Sequence, residues 1–358
     1  VHEFAHQYFY GLFANDERRE AMLDEGFTSF WEGEIMAEAY GGRGGAFLGR
    51  PIEVAGFRSL RLEGAADRIR QPMAAQPSFL FDPRNAGAQF YSRPSVTLST
   101  AQAYRSPMVT DMVFKTWYRR RAFTHPTLDE FFGDAASGGG GDLEIFLREA
   151  FGKPEIPNFK VAKAKVKRWK APRGHVVTKD GVADVTEETR DDGGEHAEVG
   201  LDAAAREESG RMLVEIADPG WYRGAGRRAE GAVVRRLDDV VLADPDADFD
   251  PDGAFHESVV RVEGPAWDHL PVDVAFRFAD GAVVQDVWDG KAPWRRYRFL
   301  RKAPLRTVRV DPAGKAKVDV RPQDDGMHVR PDPRTKTDWG NWLGALAQWL
   351  AVGLTLWL

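Results

Sequence analysis

The chain has 358 residues, 43% of them hydrophobic and 29% charged, which suits two or three soluble domains and excludes collagen-like, fully disordered and many-span membrane proteins. Its net charge is −6 and it has no cysteine. Disulfides, cysteine-ligated metals and thiol catalysis are thereby excluded, and nucleic acid is not expected as a partner because bulk positive charge is missing. Residues 1–156 read as mostly helical. A helix with an apolar stripe is predicted from Glu20 to Tyr40, stopped by Gly41-Gly42. Residues 43–90, rich in Gly, Pro and Ala, read as loops with short helices. Helices follow from Ser95 to Tyr104 and from Met108 to Arg121, separated by Pro107. Thr127-Leu128-Asp129-Glu130 has the capping-box pattern, and Asp142 is placed as the cap of a helix ending near Gly152.

Beyond Pro157 the texture changes to alternation and turns. Strands are predicted over Met212–Ile216, Val233–Val241, Glu257–Val262, Val272–Phe278, Val283–Trp288, Leu305–Val310 and Ala316–Val320, with Asp280-Gly281 as a hairpin turn. They suggest an antiparallel β-sandwich. Val177 to Ser209 is polar and acidic and reads as an insertion or long loop. Lys160 to Lys170 is basic with alternating valines, the solvent face of a strand, with a membrane-surface role as the second reading. The acidic run Asp244 to Gly253 reads as a turn, because a calcium loop starting at Asp248 would need a glutamate where Val259 stands.

Residues 339–358 form a 20-residue uncharged run rich in Leu and Trp. At ~1.5 Å per helical residue it spans about 30 Å, a bilayer core. It reads as a transmembrane helix, with an interfacial helix as the alternative. The chain opens inside a helical pattern with no initiator Met and closes with no signal after the apolar run, so a fragment cut at both ends is expected.

His2-Glu3-Phe4-Ala5-His6 is an H-E-x-x-H sequence. On a helix, residues four apart share a face, so both imidazoles reach one metal ion while Glu3 lies beside it, placed to take a proton from water. Catalytic zinc needs a third protein ligand and an open fourth position. Eighteen residues separate His6 from Glu25, which in Glu25-Gly26-Phe27 offers a carboxylate on the next helix.

H-E-x-x-H, eighteen residues, then Glu in E-G-F resembles the gluzincin aminopeptidases, the aminopeptidase N family. Gln7 after the second His fits that family, and Asp24 stands where many members have Asn. The resemblance implies one zinc ion per chain, held by His2, His6 and Glu25, with Glu3 as catalytic base. The family's oxyanion-stabilising tyrosine lies in a Tyr-x-Lys-Gly-like context. Gln89-Phe90-Tyr91-Ser92-Arg93-Pro94 is similar, with Arg93 for Lys and Pro94 for Gly, which points to Tyr91 ahead of Tyr104. His125, before Pro126, reads as structural. The segment in which the family's amine-gripping glutamate resides is not in the chain, so exopeptidase and endopeptidase action are not distinguished.

The expected fold is α+β. The C-terminal helical half of a thermolysin-like zinc peptidase domain (residues 1–156) precedes an antiparallel β-sandwich (157–325), a juxtamembrane linker and the transmembrane helix (326–358). The resemblance implies a zinc-dependent peptidase acting on peptides, membrane-linked in a bacterial envelope. The alternative is a non-catalytic membrane-bound binding or assembly module, attached for instance to a transporter, on the same scaffold. Substrate side chain, membrane side and oligomeric state are left open.

Overall fold

The computed structural model describes residues 1–40, 71–74, 76–168, 174–178, 181–185, 211–216, 232–236, 241–242, 249–250, 254–264 and 270–329. Helices come first: α1 (His2–Phe9), α2 (Glu17–Ala21), α3 (Phe27–Tyr40), α4 (Arg93–Arg105), α5 (Pro107–Arg121), α6 (Leu128–Gly139) and α7 (Gly141–Gly152). Two π-helical turns interrupt them, Met22–Gly26 before α3 and Gly87–Ser92 before α4.

The single helix expected from Glu20 to Tyr40 is therefore three pieces. Glu20 leaves helical geometry (φ −135°, ψ 54°). Its carboxylate instead accepts the backbone N–H of Leu128 at 3.0 Å, tying the break to the start of α6. The capping box at Thr127 and Glu130 forms in both directions. Asp142 is not the cap of the last helix. Gly140, at φ 93°, takes that position, and Asp142 sits in the first turn, where its charge suits the helix dipole.

The helices close on an aromatic core. Phe27 is fully buried and lies 4.5 Å from Phe131 and 5.5 Å from Phe114, ring centre to ring centre. Trp117 meets the edge of Phe131 at 5.2 Å. Burying an aromatic side chain contributes about 1.5–3 kcal/mol, so Phe27 is a strong anchor for the residues just before it.

The strands form two five-stranded sheets in which every described pairing is antiparallel. The first has the order β1-β7-β10-β4-β5: Lys160–Arg168, His256–Glu263, Trp294–Arg301, Arg211–Ile216 and Ala232–Arg236. The second has the order β12-β11-β8-β9-β6: Gly326–His328, Leu305–Val310, Val272–Phe278, Ala282–Trp288 and Val241–Leu242. Strands β2 (Gly174–Thr178) and β3 (Gly181–Val185) pair as a separate hairpin. The sheets pack face to face: Phe276 of β8 lies 4.7 Å from Tyr297 and 4.8 Å from Phe299, both of β10. Asp280-Gly281 makes the expected turn, with Gly281 at φ 81° and the Asp280 carboxylate accepting the N–H of Ala282.

The observed strands differ from the expected ones in four places. Ala316 to Val320 is not a strand. Its backbone N–H groups are taken by the Asp311 carboxylate (Ala316, 2.7 Å), by the Ala316 carbonyl (Asp319, 3.0 Å) and by the Thr100 hydroxyl (Val318, 3.0 Å), leaving no ladder to form. Strand β10 is additional, and the second sheet takes in Gly326–His328, past residue 325. The hairpin β2–β3 stands at the start of the stretch read as an insertion; most of the rest of that stretch, the acidic run at 244–253 apart from residues 249–250, and the apolar run 339–358 lie outside the described residues. Among the described residues, no helix is long and apolar enough to cross a membrane.

The helical and sheet parts share one continuous hydrophobic core, from Phe13 to Val318. Two hydrogen bonds reinforce the join: Thr100 with Val318, and the Tyr104 hydroxyl donating to the Pro271 carbonyl at 2.7 Å.

Candidate metal centre

Helix α1 carries its two histidines on one face because they are four residues apart. Only Ala5 of this helix is fully buried, and Phe4 and Tyr8 lie exposed on other faces. The first π-turn brings Glu25 across from that face. Nε2 of His2 lies 3.1 Å and Nε2 of His6 3.4 Å from Oε2 of Glu25. One donor atom from each of the three residues falls within 4.8 Å of the others, and among the described residues no other group of three His, Cys, Asp or Glu side chains does so. All three side chains are only about one-fifth exposed.

The far nitrogen of each ring is also held by a carboxylate. Nδ1 of His2 lies 3.2 Å from Oε2 of Glu32, and Nδ1 of His6 lies 2.5 Å from Oδ1 of Asp24. Carboxylates accept, so each Nδ1 donates. A neutral imidazole then has only a lone pair left at Nε2. Both lone pairs face the Glu25 carboxylate, an arrangement that repels itself unless a cation lies among the three. Two imidazoles with a carboxylate are a zinc donor set, and carboxylates behind the imidazoles are the usual outer support of such a site. The residues therefore fit a divalent metal such as zinc.

Asp24 is 4% exposed, and this burial pushes its carboxyl up to about 6, partly offset by its bond to His6. Neither Glu32 nor Asp24 was picked out as a partner of the histidines from the sequence. Glu32 had a signal: it stands seven residues after Glu25, two turns along the same face.

Tyr91 comes from the second π-turn. Its hydroxyl donates to Oε1 of Glu25 at 2.6 Å and its ring stacks 5.8 Å from that of His2. Burial, then the bond to Glu25 and the negative charges of Glu25, Asp24 and Glu3, raise the phenol well above its ordinary value and keep the proton on oxygen. Glu3 is exposed at the start of α1, near enough to contribute to that shift. Tyr104 is elsewhere, bonded to Pro271. His125 bonds the Ala14 carbonyl at 2.8 Å and does not join the cluster.

The two π-turns touch. A methyl group on Gly26 would sit 2.5 Å from Cβ of Pro94 and 2.9 Å from the Phe90 carbonyl oxygen, so only glycine permits this approach. π-turns inside helices are rare and often mark functional positions. Here they place Glu25 and Tyr91 against each other. Arg93, 4% exposed, fixes the second turn from behind: its guanidinium donates to the carbonyls of Gln71 and Lys153 and to the Gln89 side chain. The arginine that replaces the expected lysine is thus a buried clamp.

No protein-family model matches the chain, and no curated protein matches it. Among solved structures it is similar to aminopeptidase A of Legionella pneumophila in complex with aspartic acid, at 12% identity and a TM-score of 0.42. That alignment covers 89% of this chain and 26% of the other, so the chain spans about a quarter of that protein's length. Likeness at that level is too slight to assign a shared fold or site.

Proposed function

We propose that this chain carries the metal-binding and proton-transfer half of a zinc-dependent metallopeptidase site, of the aminopeptidase type, acting on peptides. The observation that carries the reading is the pair of imidazoles whose Nδ1 atoms are anchored by Glu32 and Asp24 while both Nε2 atoms converge on Glu25. His2, His6 and Glu25 hold the metal. When bound, zinc supplies Lewis acidity toward the scissile carbonyl and makes water acidic enough to be deprotonated near neutral pH. Glu3 takes the proton from the attacking water and passes it to the leaving amine. Tyr91 turns its O–H from Glu25 toward the oxyanion that develops on the substrate carbonyl, a hydrogen bond that strengthens as charge builds.

In this reading residues 1–156 belong to the catalytic domain, the sandwich runs from residue 157 through β12 at Gly326–His328, and 339–358 form a membrane anchor in a bacterial envelope. Metal analysis of the full chain and of Glu25→Ala tests the centre. One zinc per chain is expected in the former, with occupancy falling sharply in the latter. Equal stoichiometry and affinity in the two would remove Glu25 from the site and the proposal with it. Carbonate extraction of membranes from cells expressing the protein tests the anchor, and complete release would reduce 339–358 to a peripheral or packing segment.

A further inference from the structure

The outer face of the first sheet has a charge pattern that the metal centre does not explain. A shallow depression of about 860 Å³ there is lined by six cations and one carboxylate: Lys163, Lys165 and Lys167 of β1, Arg261 of β7, Arg296 and Arg298 of β10, and Glu257. The register makes the crowding specific. Lys163 pairs with Arg261, and Arg261 with Arg296, so three cations stand directly opposite one another across three strands. Like charges in that relation oppose sheet formation, and here they are compensated only in part: Arg261 pairs with Glu263 at 2.9 Å, and Glu215 of β4 stands opposite Arg296 in the register. Glu257 is shared by Lys167 and Arg298, each at 2.6 Å. Lys163 and Lys165 form no ion pair among the described residues and are exposed. Trp294 lies on the same face with the guanidinium groups of Arg261 and Arg296 over its ring, at 5.0 and 5.6 Å. All this occurs in a chain whose net charge is −6.

We propose that this face docks on an anionic phospholipid surface. Charge complementarity is the first ground: cations near such a surface gain roughly fivefold in partitioning each. An arginine-flanked tryptophan suits the headgroup layer. Chain connectivity is the second. Val329, the last described residue, lines the same depression. The uncharged run begins at Trp339, ten residues on, so at most about 35 Å away. A bilayer entered by that run therefore lies within reach of the basic face. The lipid contact goes beyond the peptidase reading and is independent of it; it borrows only the membrane placement of 339–358.

The competing account is that lysines on β1, an edge strand, merely keep other strands from pairing with it. Full-length protein decides between them. Partitioning is measured onto vesicles of phosphatidylcholine alone and onto vesicles containing roughly one-third phosphatidylserine. The wild type is expected to prefer the anionic vesicles at least about tenfold at low salt, and to lose the preference at high salt. K163E/K165E, which disturbs no ion pair among the described residues, should lower partitioning onto anionic vesicles by well over ~25-fold, because each change removes one positive charge and adds a negative one, while leaving phosphatidylcholine binding unchanged. K163Q/K165Q should fall between. Wild-type protein without lipid preference overturns the proposal, as does a preference that survives in K163E/K165E. Variants that self-associate with lipid preference intact establish edge protection instead. Tighter binding to soluble polyglutamate than to anionic vesicles makes an acidic polypeptide the partner and also overturns it. Loss of phosphatidylcholine binding by every form sinks the anchor at 339–358, a separate failure.

Discussion

Glu3 and the two carboxylates behind the histidines have separable effects. Glu3→Gln keeps the shape and cannot accept the proton, so turnover on aminoacyl-arylamides is expected to fall by about 10²–10⁴ with zinc content unchanged. Near-normal turnover would remove Glu3 from the role of base. Asp24→Asn and Glu32→Gln weaken the hold on Nδ1 of His6 and of His2, and metal affinity is expected to drop about 10–100-fold for each. Competition with a chelator measures this directly, and wild-type affinity in both variants would refute a supporting role. What the sequence made legible here was the spacing of His2, His6 and Glu3, because helical geometry converts spacing into a shared face. Glu25 was legible as a carboxylate on the next helix and made specific by resemblance, Tyr91 was legible through resemblance alone, and the outer carboxylates were not singled out, since their part depends on the helix break at Met22–Gly26.

The contact between the two π-turns gives a sharp test of local packing. Gly26→Ala forces a methyl against Pro94 and the Phe90 carbonyl, and overpacking of this kind costs about 1–3 kcal/mol. Denaturant midpoints measure the loss; an unchanged midpoint would mean that the turns do not need their close approach. Among elements, alternation revealed β8 and β9, where buried residues alternate with half-buried or exposed ones along each strand. It hid β10, because Trp294-Arg295-Arg296-Tyr297-Arg298 reads as polar. Arg295 is in fact buried, paired with Asp286 and Asp289 at 3.1 Å each, so a charged residue occupies an inward position. Conversely, Ala316 to Val320 has the composition of a strand, and remote side chains claim its backbone.

Across the whole molecule, Asp319 and Asp325 form a buried carboxyl pair near the junction of helices and sandwich, with Asp319 accepting the N–H of Phe159 at 2.7 Å. Burial, then the charge of Asp319, raises the Asp325 carboxyl from 3.8 to about 9. A carboxyl raised by folding contributes stability that is full below its unfolded value and is lost as pH rises through the folded one. Stability is therefore expected to decline between about pH 4 and pH 9, and to decline less in Asp325→Asn, which keeps a donor and does not titrate. Parallel pH profiles for the two proteins would remove the pair as the cause. Thr100→Val strands the buried N–H of Val318, at an expected cost of about 1–3 kcal/mol. The core that runs unbroken from Phe13 to Val318 has a further consequence. Helices and sandwich look like two modules along the sequence, and neither can melt without exposing apolar surface of the other. Calorimetry should record one cooperative heat-absorption peak, and excising either half at residue 156 should yield a sticky, aggregation-prone product.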